Sequence, residues 1–326
     1  MPLIAVSIAL DPTGRTILHE AIGTGADIAW LADLPDDARA ATLRQADALF
    51  TANPSRELRD GELALLSGAK LIQLMPAGID FIRIGDLPPG VPVASNAGAY
   101  AAPMAEHAAA MALAAAKRLV FEHAALATGA FNQQTQNRML AGSVCGIFGF
   151  GGIGAATARL MAALGMHIHA INRRGASDTP TDWIGTPDWL DELLAASDVF
   201  VIAAPLTRAT EGMIGARALG LMKPDAILIN LARGEIVDEA ALFAHLQANP
   251  KFTACIDAWW IEPVRHGRFA MDQPFLTLPN VIGSPHNSAS VPMTRDVGLR
   301  RAGANILRAL HGESVQNLVG AGDRYL

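Results

Sequence analysis

The chain has 326 residues, of which 51% are hydrophobic and 17% are charged, and this composition excludes a disordered protein. A net charge of −6 without a basic cluster indicates no nucleic-acid partner. The length predicts two domains. The apolar start lacks the features of a signal peptide, no run is long enough to span a bilayer, and both cysteines lie in apolar runs. We therefore expect a cytoplasmic protein with no membrane partner.

The first part of the chain alternates between strands and helices. Strands are predicted at residues 3–10, 27–31, 48–51, 71–74 and 91–94, and helices at 13–22, 38–46 and 60–66. This alternation is typical of a parallel sheet with helices on both faces. Residues 103–128 are predicted to form one long helix that is apolar nearly all round, and such a helix must be buried on several sides. It either packs between domains and against a partner subunit or is a plain core helix.

A glycine-rich turn follows the next apolar strand. Residues 144–154 contain the apolar strand followed by Gly149, Gly151 and Gly154, which form a Gly-x-Gly-x-x-Gly pattern. A helix is predicted directly after it, at residues 155–164, and Gly165 is placed to end that helix. In this context Gly149 permits a tight turn, Gly151 lets the backbone approach a pyrophosphate, and Gly154 lets helix and strand pack closely. The pattern predicts a dinucleotide site, and a merely structural turn is the alternative.

The rest of the chain continues the alternation. Strands are predicted at 166–171, 198–205, 226–231, 252–256 and 280–283, and helices at 214–221 and 239–248. His167 and His169 share one face of a strand, a spacing that metal sites can use. No third ligand is near them in the sequence, so we interpret both as ordinary strand residues and expect no metal site.

The residues after the second strand of this region bear on the choice of cofactor. An NAD enzyme usually has an acidic residue about 20 positions past the glycines, to bind the ribose 2′-hydroxyl. This chain has Asn172-Arg173-Arg174 there. Two guanidinium groups without a carboxylate favour a 2′-phosphate and predict NADP(H) over NAD(H). The alternative is a pair of solvated arginines in a loop.

Three polar residues lie at or just beyond predicted strand ends, where parallel sheets bind ligands: Arg233, Glu262 and His286. A guanidinium can bind the carboxylate of a 2-keto acid in bidentate fashion. An imidazole can supply a proton to the keto oxygen, and a neighbouring carboxylate would orient that ring and favour its protonated form. Each residue alone has a structural alternative, but the set predicts a catalytic site.

Besides the glycine pattern, the chain contains a series of further motifs: Ala77-Gly78-Ile79-Asp80, Asn96-Ala97-Gly98, Ala105-Glu106-His107, Pro205-Leu206-Thr207, the run from Asn230 to Asp238, Asp257, Glu262-Pro263 and Ser284-Pro285-His286. In these motifs the sequence resembles the D-isomer-specific 2-hydroxyacid dehydrogenase family, over essentially its whole length.

The resemblance implies an α/β fold of two domains, each a parallel sheet with helices on both faces. Residues 1–97 and 290–326 would form a flavodoxin-like substrate-binding domain, and a Rossmann cofactor domain, residues 98–289, would be inserted into it. The resemblance also implies a tail helix around residues 294–311 that crosses back to the first domain, and a homodimer through the cofactor domains.

The resemblance assigns roles to residues of this chain as well. Ala77 and Gly78 would offer backbone N–H groups to the substrate carboxylate, Arg233 would bind carboxylate and keto oxygen, and His286, held by Glu262, would be the acid in reduction and the base in oxidation. Asp257 would orient the nicotinamide carboxamide, with Met104 packed near the ring. Further cofactor contacts would come from Gly152, Ile153, Ala204, Pro205, Thr210, Leu231, Ala232, Arg233, His286 and Ser288.

The Asn172-Arg173 pair departs from the family's usual acidic ending, as in its NADP-dependent glyoxylate/hydroxypyruvate reductases. The sequence therefore predicts an NADP(H)-linked reductase of a small 2-keto acid, glyoxylate or hydroxypyruvate, that forms a D-2-hydroxy acid. The alternatives are a broad 2-ketoacid reductase for bulkier substrates, a formate or phosphite dehydrogenase, and a non-catalytic dinucleotide sensor like the family's transcriptional corepressors. A phosphoglycerate dehydrogenase with an additional regulatory domain is less favoured.

Overall fold

The computed structural model describes residues 1–320 and Asp323, and the chain divides into two compact units. Unit 1 is Met1–Tyr100 with Val291–Leu326, and unit 2 is Ala101–Ser290. The strands are β1 Leu3–Val6, β2 Asp27–Trp30, β3 Ala48–Thr51, β4 Leu71–Leu74, β5 Val93–Ala94, β6 Val144–Phe148, β7 His167–Ile171, β8 Trp183–Gly185, β9 Val199–Ile202, β10 Ile227–Asn230, β11 Thr253–Ile256 and β12 Val281–Gly283. The helices are α1 Pro12–Ile22, α2 Asp36–Gln45, α3 Pro54–Glu57, α4 Ala101–Ala116, α5 Leu119–Ala127, α6 Gly152–Ala163, α7 Leu190–Ala196, α8 Ala216–Leu221, α9 Glu239–Ala248, α10 Pro263–His266 and α11 Thr294–His311.

Unit 1 is built on a parallel sheet in the order β2-β1-β3-β4-β5. Strands β3 and β4 are buried along their whole length, as expected when both faces of a sheet are covered. Leu18 of α1 and Ile306 of α11 belong to the core on one face, and Leu43 of α2 and Leu66 belong to the core on the other. This is the flavodoxin-like strand order.

Unit 2 is built on a second parallel sheet in the order β12-β11-β10-β9-β6-β7-β8. The chain enters at β6, extends the sheet to one side through β7 and β8, and then adds β9 to β12 on the other side of β6. The direction of winding therefore reverses between β6 and β9, and ligands of such sheets bind at the carboxyl ends of the strands beside that point. The predicted fold class, two parallel-sheet α/β domains, is confirmed.

The prediction of one long buried helix over residues 103–128 is wrong. The structure has two helices, α4 and α5, separated at Arg118, whose φ of +55° is left-handed. The Ala116 carbonyl accepts the N–H of Arg138 at 3.0 Å, and the Lys117 ammonium donates to the Arg138 carbonyl at 2.8 Å. A later segment of the chain thus takes the place of the next helical turn. Helix α4 has a buried face, whereas no residue of α5 is buried.

The predicted helix over residues 60–66 is also wrong. Only a 3-10 turn, Leu63–Leu66, forms there, because Gly61 has a φ of +80° that a right-handed helix cannot contain. The unpredicted helix α3 begins nearby at Pro54. Its last residue, Glu57, accepts the N–H of Asn53 at 2.9 Å and the hydroxyl of Ser7 at 2.7 Å, and so ties the helix to the end of β1.

Candidate functional site

The glycine-rich turn joins the carboxyl end of β6 to the start of α6. Gly149 has a φ of +101°, and a Cβ at this position would overlap the backbone of Ala204 at the end of β9. A Cβ at Gly154 would overlap the carbonyl oxygen of Gly149. Gly151 differs, because no atom lies within 4 Å of the place its Cβ would take. The first and third glycines let backbone segments meet, whereas the second borders open space.

The end of β7 lies beside this turn, since the N–H groups of Gly149 and Phe150 both donate to the Ile171 carbonyl, at 3.1 and 3.0 Å. The Asn172 carboxamide holds the following turn: its Oδ1 accepts the N–H of Arg174 at 2.9 Å, and its Nδ2 donates to the Ala176 carbonyl at 2.9 Å. Arg173 and Arg174 are exposed. The carboxamide therefore shapes the turn that carries the two guanidinium groups.

The loop after β9 is closed by Thr210. Its hydroxyl accepts the N–H of Thr207 at 2.9 Å and donates to the Pro205 carbonyl at 2.8 Å. Ala204 is buried against the glycine turn, and Pro205 is exposed. These predicted cofactor residues thus form one short turn at the point where the winding of the sheet reverses.

The loop after β10 is held by Asn230, which sequence reasoning did not single out. This buried side chain accepts the N–H of Ala232 at 3.0 Å and donates to the Arg233 carbonyl at 2.8 Å. Leu231 is buried, while Ala232 and Arg233 are half-buried. The Arg233 guanidinium donates through Nη1 to the Ala232 carbonyl at 2.7 Å. The sequence signals for Asn230 are its place at the end of an apolar strand and its membership of the Asn230–Asp238 motif.

His286 and Glu262 form the closest pair of the predicted catalytic residues. The imidazole Nδ1 lies 2.8 and 2.9 Å from the two carboxylate oxygens of Glu262. Because a carboxylate only accepts, Nδ1 is the protonated nitrogen in this bond, and Nε2 faces away from Glu262. His286 has a φ of +49°, a left-handed conformation that costs a side-chain-bearing residue about 1–2 kcal/mol. The surroundings must compensate this strain.

The Glu262 carboxylate is kept ionised by its neighbours. Burial on its own would raise its pKa, but the hydrogen bond and charge of His286, the Trp259 N–H at 2.7 Å and the charge of Arg233 outweigh burial and hold the pKa below its ordinary value. A carboxylate whose pKa is lowered by folding adds stability above its ordinary pKa and loses that contribution as the pH falls through the lowered value. At neutral pH the pair is intact. Arg233, Glu262 and His286 are therefore brought together.

Asp257 organises the loop that bears His286. It is fully buried at the end of β11, and its Oδ1 accepts the Ser284 hydroxyl at 2.5 Å and the N–H of Asn287 at 3.1 Å. Its Oδ2 accepts the N–H of Ser288 at 3.3 Å. Ser284 was not predicted as a site residue, and the motif in which it lies was the only signal for it.

The remaining predicted residues lie in both units. In unit 1, Ala77 and Gly78 lie half-buried in the loop after β4, next to a segment in which the Tyr100 hydroxyl donates to the Met75 carbonyl at 2.8 Å. In unit 2, Met104 is buried on α4.

The residues of unit 2 fit a dinucleotide. The space beside Gly151 is open, and the first N–H groups of α6, including those of Gly152 and Ile153, have no partner within the helix. Among the described residues the buried hydroxyl of Ser288 has no hydrogen-bond partner, although its backbone N–H is held by Asp257. Unit 2 thus offers donors for a pyrophosphate and a hydroxyl for a further polar group.

Replacing Gly151 with alanine is expected to leave the thermal midpoint within about 2 °C of the wild-type value, since the new methyl group meets nothing. It should weaken dinucleotide binding by about ten-fold or more if the phosphates occupy the open space beside Gly151, because the methyl group would enter that space. Fluorescence titration and differential scanning calorimetry measure the two effects.

The matched variant is Gly149→Ala, which is expected to lower the midpoint by several degrees, since its methyl group overlaps Ala204 at a left-handed φ. Normal dinucleotide affinity of Gly151→Ala would contradict the phosphate site.

Within residues 1–320 and 323, no three His, Cys, Asp or Glu side chains are grouped so that they could hold a metal ion. In the same part of the chain no helix is both long and apolar enough to cross a bilayer.

Comparison with known proteins gives consistent matches. A sequence model of the D-isomer specific 2-hydroxyacid dehydrogenase NAD binding domain matches residues 109–288. The chain is 39% identical over 175 residues to glyoxylate/hydroxypyruvate reductase B of Enterobacter agglomerans, covering 53% of each protein. It is 33% identical over 255 residues to D-3-phosphoglycerate dehydrogenase of Archaeoglobus fulgidus, covering 77% of this chain and 47% of that protein. The chain spans about half the length of these curated relatives.

The fold is similar to a solved structure, a D-isomer specific 2-hydroxyacid dehydrogenase from Xanthobacter autotrophicus Py2 in complex with NADPH and MES. The TM-score is 0.78 at 26% identity, with 98% of both chains covered. A family model that matches more than half of the sequence, together with this fold, settles the family. The chain belongs to the D-isomer specific 2-hydroxyacid dehydrogenases.

Proposed function

We propose that the protein is an NADP(H)-dependent reductase of a small 2-keto acid, glyoxylate or hydroxypyruvate, that forms the D-2-hydroxy acid. The observation that carries the proposal is the His286–Glu262 pair, with Nδ1 held at 2.8 Å by a carboxylate whose pKa is also lowered by the charge of Arg233. This arrangement suits proton transfer next to a bound anion, because the buried carboxylate orients the imidazole and the guanidinium lies close enough to act on the same carboxylate.

The proton is the contribution of His286. With Nδ1 bonded to Glu262, Nε2 is the nitrogen that gives a proton to the keto oxygen in reduction and takes it back in oxidation. The Glu262 carboxylate, bonded to Nδ1, fixes the tautomer of the ring and keeps it in one orientation. The His286 side chain is 30% exposed, so it can be reprotonated from solvent after each turnover.

The guanidinium of Arg233 binds the substrate. Its planar donors match a carboxylate in bidentate fashion, and its charge also stabilises the negative charge that develops on the keto oxygen. The buried Asn230 holds the backbone of Arg233, so the guanidinium is presented from a fixed turn. The contribution of Ala77 and Gly78 to carboxylate binding stays a prediction.

The cofactor supplies a hydride to the keto carbon, and several residues of unit 2 would hold it. The N–H groups at the start of α6 would bind the pyrophosphate, and Asp257 and Ser288 would bind the carboxamide. Exposed Arg173 and Arg174, in a turn whose Asn172 side chain carries no charge, would bind a 2′-phosphate. The Xanthobacter relative, which binds NADPH, supports this preference.

The test is the decrease in absorbance at 340 nm with glyoxylate, hydroxypyruvate, pyruvate or a bulky 2-keto acid, each with NADPH and with NADH. We expect NADPH to be oxidised with one of the first two substrates, at a kcat/KM at least about ten-fold above that with NADH. Replacing Arg173 and Arg174 with alanine should remove most of that preference by raising the KM for NADPH. Arg217→Ala, on an exposed arginine paired with Asp191, is the matched control.

Other outcomes of this assay point elsewhere. A higher kcat/KM with NADH would overturn the NADP preference, and the fastest turnover with the bulky acid would favour a broad-specificity reductase. No turnover with any of the eight combinations, together with tight dinucleotide binding, would favour a sensor.

We further propose that the protein self-associates through α5. Leu119, Val120 and Leu126 on this helix are 59%, 53% and 54% exposed, an unusual group of aliphatic side chains for a free surface.

We also propose that the protein is located in the reducing cytoplasm. Cys145 and Cys255 are free and buried, and burial raises the pKa of both thiols to about 12.

Leu126→Glu is expected to convert a dimer to monomers in light scattering, because a charge in an apolar interface is costly. The matched control is Leu318→Glu, whose side chain is equally exposed, at 54%, but lies outside α5. A Leu126→Glu protein with unchanged mass would contradict an interface at α5.

A further inference from the structure

His107 has no part in the proposed chemistry, yet its side chain reaches the loop that bears His286. It lies on α4, and its Nε2 is 3.0 Å from the Ser284 hydroxyl oxygen and 3.8 Å from the Asp257 Oδ1. The His107 side chain is 25% exposed, whereas that of Asp257 is fully buried. The contact joins positions 177 residues apart in the sequence.

The directions of these hydrogen bonds can be assigned. A carboxylate has no proton to give, so the Ser284 hydroxyl must donate its single proton to Asp257 Oδ1 at 2.5 Å. The Ser284 oxygen is then an acceptor toward His107, and His107 must donate from Nε2. The contact therefore requires a proton on Nε2 of His107.

The series of hydrogen bonds ends at the backbone that directly follows His286. Asp257 accepts the N–H groups of Asn287 and Ser288, the two residues that follow His286. His286 itself is held at a φ of +49°, which an unsupported turn would relax. Asp257 can accept both N–H groups only if its carboxylate is kept in place. The Ser284 hydroxyl, which is bonded to that carboxylate and is itself oriented by His107, contributes to keeping it there.

We propose that His107 is a positioning residue for His286, acting through Ser284 and Asp257 on the left-handed turn. The proposal rests on the proposed function in that it takes His286 as the proton donor. The imidazole of His107 itself does not exchange a proton with the substrate. Its role is to supply one hydrogen bond from Nε2, which fixes the Ser284 hydroxyl and, through it, the Asp257 carboxylate.

The test compares two replacements of His107. In His107→Gln the amide nitrogen of glutamine can donate from about the place of Nε2, and in His107→Leu the volume is kept but the donor is lost. We expect His107→Leu to lower kcat about five- to ten-fold with little change in the KM of the keto acid, as for the loss of one hydrogen bond. His107→Gln should keep kcat within about three-fold of wild type.

A second variant guards against a simple folding defect in His107→Leu. Ser284→Ala removes the link itself, and it should lower kcat by a similar factor. The double variant His107→Leu/Ser284→Ala should be no slower than the slower single variant, because both break the same series of bonds. Unchanged kcat in His107→Leu, an equal loss in His107→Gln, or multiplicative losses in the double variant would overturn the proposal.

A readout that needs no turnover separates this proposal from the proposed function. In protein labelled with ¹⁵N in the histidine rings, we expect the His107 signals to report a proton on Nε2, and the His286 ring signals to shift in His107→Leu but not in His107→Gln. If wild type reduces no keto acid yet these signals behave as described, the proposed function fails and the positioning role stands. If the His286 ring signals do not shift in His107→Leu, the positioning role is overturned, whatever the activity of the wild type.

Discussion

Replacing His286 with asparagine is expected to lower kcat for the keto acid by about 10²–10⁴-fold, the usual contribution of a positioned acid or base. The affinity for NADPH should stay within about three-fold of wild type, because the assigned phosphate contacts lie in other loops. Asparagine is the informative replacement for two reasons. It tolerates the left-handed φ of +49° better than alanine, and its amide can still donate to Glu262. The variant therefore keeps the turn and the partner of Glu262 but has no imidazole.

The measurements are steady-state kinetics and a fluorescence titration with NADPH. His311→Asn, on an exposed histidine at the end of α11, is the matched control and should have normal kcat. A His286→Asn enzyme that retains more than about a tenth of wild-type kcat would reject His286 as the proton donor. A loss of kcat accompanied by an equal loss of NADPH affinity would instead indicate a disturbed loop.

Parts of the fold could be predicted from local sequence signals. Helix α9 has its predicted bounds, and its start is determined by Asp238, which caps it by accepting the N–H of Ala241 at 2.8 Å. Helix α11 has the bounds that the family resemblance implied, and Gly312 ends it with a φ of +74°. Such signals lie within a few residues of the boundary that they determine, and the sequence displays them directly.

Other features depend on contacts between distant parts of the chain. No proline or glycine lies between Ala116 and Leu119 to mark the break between α4 and α5. At this break the Ala116 carbonyl accepts the N–H of Arg138, a residue about twenty positions later in the chain. The left-handed φ of His286 has no decisive local signal either. Histidine adopts a positive φ more often than most residues with a side chain, but such residues adopt it in only a few per cent of cases. Its support comes from Asp257, about thirty positions earlier in the chain.

In the candidate site, too, some residues could be predicted from the local sequence and others depend on contacts between distant parts of the chain. Arg233, Glu262 and His286 could be proposed together because each follows a predicted parallel strand, and the carboxyl ends of such strands lie along one edge. The side chains that position them, Asn230 and Ser284, were missed, because a polar residue at a strand end is common and its partners are known only from the fold.

Arg233→Lys is expected to lower kcat/KM for the keto acid by about 10²–10³-fold, although the positive charge is kept. A lysine ammonium is a single point of charge, whereas the guanidinium offers planar donors to a carboxylate and a keto oxygen at once. Because the positive charge near Glu262 remains, the pKa of that carboxyl should stay lowered. The loss of kcat/KM then measures the effect of replacing the planar guanidinium donors, not the effect of removing a charge. Initial rates over a range of glyoxylate and hydroxypyruvate concentrations with saturating NADPH measure it.

The matched control is Arg268→Lys, on an exposed arginine two residues beyond α10, which should be indistinguishable from wild type. The division of the loss between KM and kcat distinguishes the two roles assigned to Arg233. A rise in KM alone would mean that the guanidinium binds the carboxylate equally in the ground state and the transition state, whereas a fall in kcat would mean that it also stabilises the charge on the keto oxygen. Unchanged KM and kcat in Arg233→Lys would leave Arg233 without a part in substrate binding.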